Sequence, residues 1–181
     1  MSNWKRLTGK IVYQNDWKTV HEDEVIRPDG RSATYAWIET PPEVRVVAIN
    51  DDKEICLVHE ERYTTGELSL ELPGGHIEGE DELDAAKREL TEETGLHADH
   101  WERLSSETLP FIGTAASRTI FFVATGLHEA RGGDGPTDDT VTKIQWAKWS
   151  EVKKMLKDGA FVDGQTISGL ALAGLHVGQI K

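Results

Sequence analysis

Alternation of apolar and polar residues marks out strands first. Residues 10–40 alternate on either side of "RPDG", where Pro28, Asp29 and Gly30 supply turn chemistry, and so predict a hairpin. "EVRVVAI" (43–49) and "EICLVHEERY" (54–63) read as two further strands joined by the turn "NDDK". "LSLELPGG" is a short strand that runs into a Gly-Gly loop. "RTIFFVATGL" and "VTKIQWAKW" are later strands, separated by the polar loop "HEARGGDGPTDDT". Helical spacing appears at about Glu82 to Thr94, in "EVKKMLKDG" and in "QTISGLALAGLHV". In the first of these, Leu83, Ala86 and Leu90 form the apolar stripe. Asp81 is placed as N-cap, Asp84 as its capping-box partner, and Gly95 as the residue that ends the helix. Strands interleaved with helices on one continuous core predict a layered α/β or α+β domain.

Length and charge narrow the picture. At 181 residues the chain reads as one domain with a full core, and 38% hydrophobic with 29% charged residues is a globular composition. Against 20 Lys+Arg stand 32 Asp+Glu, a net charge of -12, with no basic stripe for a nucleic acid backbone. An anionic ligand therefore needs local help from metal ions or a few arginines. The single cysteine, Cys56, lies in the apolar run "EICLV", makes no internal disulfide and reads as buried and inert. "MSNWKRLTGK" lacks a signal-peptide stretch, and no run approaches the roughly 18 apolar residues of a membrane span. A cytoplasmic protein with no membrane partner is expected.

The chemistry concentrates in "RELTEETG", Arg88 to Gly95. Glu89, Glu92 and Glu93 fall at i, i+3 and i+4, where like charges cost helix stability. Arg88 and Glu92 are four apart and can pair, which leaves Glu89 and Glu93 one turn apart without an evident basic partner. Hard cations such as Mg²⁺ want such oxygen ligands. Upstream, Gly74 and Gly75 let backbone approach closely, and Glu78 and Glu80 add carboxylates. A Glu-rich helix by itself is usually a solvated face. The glycine loop, Glu80, the Arg-Glu pair and the terminal Glu-Glu-x-Gly together argue for a site. His59, His76 and His97 lack metal-ligand spacing and read as surface or loop residues.

"GGHIEGEDELDAAKRELTEETGL" (74–96) resembles the signature box of the Nudix hydrolases. Counted from Gly74, the positions taken by Glu80, Arg88, Glu89, Leu90, Glu92, Glu93, Gly95 and Leu96 all match that box. Counted from Gly75, the loop is one residue short. The resemblance implies an α/β/α sandwich with a mixed sheet, a divalent cation (Mg²⁺, with Mn²⁺ as the alternative) and hydrolysis of a nucleoside diphosphate linked to another group. It makes Glu89 and Glu93 metal ligands, with a carbonyl at Gly74 or Gly75 completing the shell. Glu92 becomes a ligand or water-positioning group, and Arg88 braces the helix.

Beyond the box, "NDWKTVHEDEVIRPDGR", "HEERYTTGELSLELPGG" and "KDGAFVDGQTISGLALA" are similar to the ADP-ribose pyrophosphatase branch of that family. This implies an N-terminal antiparallel hairpin extension, residues 1–42, that serves dimerisation and the substrate pocket. Residues 43–181 then form the Nudix hydrolase domain of a homodimer. By position Trp17 and Arg62 are candidates to hold the adenine. The plainer readings are a core or interface tryptophan, and an arginine paired with Glu60 or Glu61. The branch places a carboxylate base in the loop before the last strand, here Asp138 or Asp139 with Asp134 nearby; Glu92 is the rival. Hydrolysis of ADP-ribose or a related nucleotide sugar is the expectation. The alternatives are GDP-mannose, a dinucleotide or a nucleoside triphosphate as substrate, or a non-catalytic nucleotide-sugar sensor.

Overall fold

The computed structural model describes residues 3–129, 137 and 140–180, and at 105 and 106 the backbone alone. Asp134, Asp138 and Asp139 lie outside the described residues. The elements run β1 (Lys5–Gln14), β2 (Thr19–Ile26), β3 (Ser32–Glu39), β4 (Glu43–Ala48), β5 (Glu54–Arg62), β6 (Glu67–Glu71), α1 (Glu82–Thr94), β7 (Leu96–Thr108), β8 (Ala115–Ala116), β9 (Thr119–Glu129), β10 (Val141–Lys148), α2 (Trp149–Asp158) and α3 (Gly164–His176). They fall into two compact units, one formed by the chain up to Pro42 with Leu109–Arg118, the other by Glu43–Thr108 and the chain from Thr119 on.

In the first unit the expected hairpin is a three-stranded antiparallel meander, β1-β2-β3, with β8 added parallel to β3. Its turn is the "RPDG" segment: Arg27 N–H donates to Arg31 O (2.8 Å), and Asp29 accepts from the Arg31 N–H and guanidinium. Trp37 is half-buried, stacked on His21 at 4.0 Å, with its indole N–H donating to Asp23 (3.0 Å). Tyr35 donates its hydroxyl to Gly113 O and meets Trp4 edge-on. Leu7, Ile11, Tyr13, Phe111 and Ile112 are exposed.

The second unit carries two three-stranded sheets. One is antiparallel, β10-β5-β6; in the other β9 pairs in parallel with β4 and antiparallel with β7. β4 and β5 follow one another through "NDDK" as the pattern predicts, yet they belong to different sheets, linked at the isolated Ile49–Ile55 bridge. Strand alternation divides the core. Val44, Val46 and Ala48 of β4, with Ile120, Phe122 and Ala124 of β9, join Ala85, Ala86 and Leu90 of α1. Val47 and Ile49, with Phe121 and Val123, join Val152 of α2 and Leu170 and Ala173 of α3. Helices thus cover both faces, which is why these strands read as near-continuous apolar runs. Among the described residues no helix is long and apolar enough to cross a membrane.

Two local expectations need correcting. Asp84 pairs with Lys87 (3.3 Å) and does not complete a capping box, although Asp81 does cap α1 by accepting from Leu83 N–H (2.9 Å). β7 follows α1 directly and was not predicted. Its segment "LHADHWERLSSET" is largely polar, and a register shift between Arg103 and Glu107 breaks the alternation that would reveal it.

Candidate active site

The site is built where α1 meets the loop at Gly74 and Gly75. α1 begins under the Asp81 cap and stops at Gly95 in a left-handed conformation, φ 70. Along it Ala86, Leu90, Glu89, Glu93 and Thr94 are buried, so two carboxylates share the helix's packed side with the apolar stripe. Glu93 is 3% exposed and accepts the Gly74 N–H at 3.2 Å. A Cβ at Gly75 would stand 2.4 Å from Glu89 Oε1, and one at Gly74 (φ 155) would stand 2.1 Å from Val44 O. The glycines are required by close approach on both sides.

β4 holds this loop from the other side. Val46 N–H donates to Pro73 O (2.8 Å) and Val44 N–H to Gly75 O (2.9 Å). Between them the Arg45 guanidinium donates to Gly74 O (2.8 Å). Three successive carbonyls are therefore occupied by two backbone amides and one side chain.

Arg88 organises the remaining carboxylates. Nη1 donates to Glu89 Oε1 (2.8 Å) and Glu92 Oε2 (2.9 Å), while Nη2 reaches Glu80 Oε1 and His76 O, both at 2.9 Å. The Glu92 pair was expected. The Glu89 pair corrects the reading that Glu89 has no basic partner: adjacent helix positions do not face each other, but the long arginine folds back to span both. Glu93 is the box carboxylate that makes no ion pair among the described residues. Burial, assisted by Glu60 and Glu89 and opposed by Arg45, pushes its carboxyl up to about 9. Burial also raises Glu89, with Arg88 opposing.

Around this core lies a charged network that the sequence did not single out. Arg62 forks onto Glu71 (2.8 and 2.5 Å) and contacts Glu60 at 2.6 Å, so its ion pairs go to Glu60 and Glu71. Glu43 accepts from Thr119 (2.7 Å) and Gln165 (3.1 Å). The signal was a charged residue inside an apolar strand, Arg45 in "EVRVVAI", because a buried charge demands partners. Trp17 stands exposed in the β1–β2 turn of the other unit, its backbone N–H donating to Asn15 Oδ1 (3.0 Å). His59, expected at the surface, is half-buried on β5 and bonds Gln145 (2.9 Å). Cys56 is buried, its thiol pushed up to about 12 by burial and by Glu93. Thr137 N–H donates to Glu92 O (2.7 Å), which puts the residue before Asp138 against α1.

The donor set suits a hard divalent cation in kind: carboxylate oxygens at Glu89 and at the buried Glu93, which makes no ion pair among the described residues. Among the described residues no three His, Cys, Asp or Glu side chains are gathered closely enough to hold an ion as they stand. The Arg88 fork explains that spacing, since it draws Glu89 and Glu92 to itself.

A carboxylate-bearing helix on a glycine loop, set between layers of sheet and helix, defines the class. The chain belongs to the family described as NUDIX domain, whose model matches residues 39–169, and is a pyrophosphohydrolase of that family. Residues 4–38 match a second model, described as "Nucleoside diphosphate sugar hydrolase N-terminal domain". Among similar proteins, an "ADP-ribose pyrophosphatase" of Mycobacterium tuberculosis is 30% identical over 93% of this chain and 82% of its own length. A "Methanol dehydrogenase activator" of Bacillus methanolicus is 30% identical over 90% of this chain and 88% of its own. A solved structure named "Crystal structure of ADP compounds hydrolase" superposes with a TM-score of 0.81 at 24% identity. It covers 98% of this chain and 97% of that one, and establishes the shared fold.

Proposed function

We propose that this protein hydrolyses the pyrophosphate bond of ADP-ribose or a related nucleoside diphosphate sugar in the cytoplasm. The products are a nucleoside monophosphate and a sugar phosphate, and the cation is Mg²⁺ or, alternatively, Mn²⁺. One observation carries the reading: Glu93, a buried carboxylate against a glycine loop, without an ion pair among the described residues. The names of the mycobacterial relative and of the N-terminal model support the nucleotide-sugar substrate.

Glu93 and Glu89 hold the cation, which when bound supplies positive charge against the pyrophosphate and acidifies water. Arg88 fixes Glu80, Glu89 and Glu92 relative to one another and to the His76 carbonyl. Gly74 and Gly75 keep the loop low enough for the helix carboxylates to reach past it. Asp138 or Asp139 takes the proton from the attacking water, with Glu92 as the rival. Residues 1–42 form the extension through which two copies pair, and Trp17 and Arg62 contribute to holding the adenine.

Incubation with a panel of nucleotide sugars, dinucleotides and nucleoside triphosphates, with Mg²⁺ or Mn²⁺ and with a chelator, tests this. The expected result is cation-dependent release of AMP from ADP-ribose above all other substrates. Preference for GDP-mannose would move the reading to another nucleotide sugar, and preference for a dinucleotide or triphosphate, or full turnover in excess chelator, would overturn it. The methanol dehydrogenase activator relative favours a second reading, in which the chain alters another enzyme's activity. Activation of a dehydrogenase that persists in the Glu93→Gln variant would favour that reading over hydrolysis.

A further inference from the structure

Arg45 interrupts the apolar strand β4 and is 6% exposed. A buried guanidinium costs several kcal/mol unless its partners are good. Its carboxylate neighbours are not close ones: Nη2 lies 3.5 Å from Glu71 Oε2 and 3.6 Å from Glu43 Oε2. Charge-assisted bonds run nearer to about 2.7–2.9 Å. Both carboxylates have nearer partners. Glu71 takes the Arg62 fork, and Glu43 takes Thr119 and Gln165. Nε has no hydrogen-bond partner among the described residues. The short contact is to a loop carbonyl, Gly74 O at 2.8 Å.

That carbonyl stands apart from its neighbours. Pro73 O and Gly75 O are taken by strand amides, which are fixed, whereas Gly74 O is taken by a charged side chain. The N–H of the same residue donates to Glu93. Gly74 thus has a cation at its carbonyl and, at its amide, the box carboxylate that makes no ion pair among the described residues.

We propose that Arg45 is a built-in cation of the site: its guanidinium fills the place at the Gly74 carbonyl that a divalent ion would otherwise take. It thereby limits how many divalent ions bind beside Glu93 and how tightly. This rests on the reading of Glu89 and Glu93 as cation ligands. A fixed positive charge in a buried site repels a dication far more than it would in water. Arg45 is a positioning residue; it acts by holding the Gly74 carbonyl and by its fixed charge.

The test is Mn²⁺ binding to the chelator-stripped protein, followed by the electron paramagnetic resonance signal of the free ion. Wild type, Arg45→Gln, Arg45→Lys and Glu93→Gln are compared. Gln removes the charge and ends two bonds short of the Nη1 that holds Gly74 O, and Lys retains the charge. Arg45→Gln is expected to bind one further Mn²⁺ or to bind at least about tenfold tighter than wild type. Arg45→Lys is expected to match wild type. The melting temperature of Arg45→Gln should rise more on adding Mn²⁺ than that of wild type. Unchanged or weaker binding by Arg45→Gln, or a gain in Arg45→Lys equal to that in Arg45→Gln, overturns the proposal. If Arg45→Gln unfolds in chelator, recovery of the fold on adding Mn²⁺ supports the proposal and failure to recover overturns it. Unchanged Mn²⁺ binding by Glu93→Gln is a separate outcome, which removes the underlying ligand reading.

Discussion

The backbone N–H of Gly74 donates to the Glu93 carboxylate at 3.2 Å, joining the loop to the last turn of α1 across 19 residues of chain. Through that bond and the Gly75–Glu89 approach, two glycines and two glutamates form one surface. Changes to either partner should be felt at both.

Gly75→Ala tests the approach. The added methyl would meet Glu89 at 2.4 Å, well inside van der Waals contact, so the carboxylate or the loop must move. Overpacking of this kind costs about 1–3 kcal/mol, and displacement of a working group by 1 Å costs roughly a hundredfold in rate. Turnover with the best nucleotide sugar and a denaturant melt check the two effects together. Wild-type kinetics in Gly75→Ala would mean that Glu89 is not part of the working site.

Glu93→Gln should lose at least about a hundredfold in turnover, because transition-state charge stabilisation depends on the carboxylate. Its stability in chelator should hold, since burial already favours the protonated Glu93 carboxyl, and Gln is its neutral isostere that can still accept the Gly74 N–H. Steady-state rates and thermal melts with and without Mg²⁺ measure both. Near wild-type activity would return Glu93 to a purely structural role.

Asp138→Asn and Asp139→Asn, singly and together, address the base. Loss of a general base costs on the order of 10²–10⁴-fold and flattens the acidic limb of the pH–rate profile. The double variant should show both effects. If it keeps its rate and its acidic limb, Glu92 inherits the role.

The first unit offers a pH test of its own. The Trp37 indole N–H, then Arg6, hold the Asp23 carboxyl below its ordinary value of 3.8. A depressed carboxyl contributes stability that is present above the unfolded pKa and lost as pH falls through the lower folded value. Melting followed by tryptophan fluorescence should show wild type losing stability below about pH 4. Asp23→Asn should be less stable at neutral pH and should lose less stability than wild type on acidification, the remaining loss coming from other depressed carboxyls such as Asp29. An equally steep acid loss in Asp23→Asn would assign the effect elsewhere.

Leu7, Ile11 and Tyr13 on β1, with Phe111 and Ile112, put five large apolar side chains of the first unit at its surface, the kind of surface a second copy covers. Sedimentation at micromolar concentration should find a dimer, and Leu7→Asp with Ile11→Asp should shift it to monomer with reduced turnover. A wild-type monomer with full activity would remove both the dimer and any shared pocket.

The bounds of α1, its Asp81 cap and its Gly95 stop were legible in the sequence, because helix periodicity and capping act within a few residues. So were the strands at 43–49 and 54–63, both buried almost throughout. The placing of Arg88, Glu89, Glu92 and Glu93 together was legible for the same reason, since they lie on one helix. Tertiary structure decided what depends on partners distant in the chain. The polar segment β7 is a strand because β9 pairs with it, and β4 and β5 separate into different sheets although a tight turn joins them. Arg45 meets Gly74 only after the loop between β6 and α1 folds back against β4, and Arg62 meets Glu71 only once β5 and β6 pair. Periodicity records which face of an element is buried. It does not record which charge waits on the other side, and that is set by burial itself, where an unpaired charge is too costly to leave.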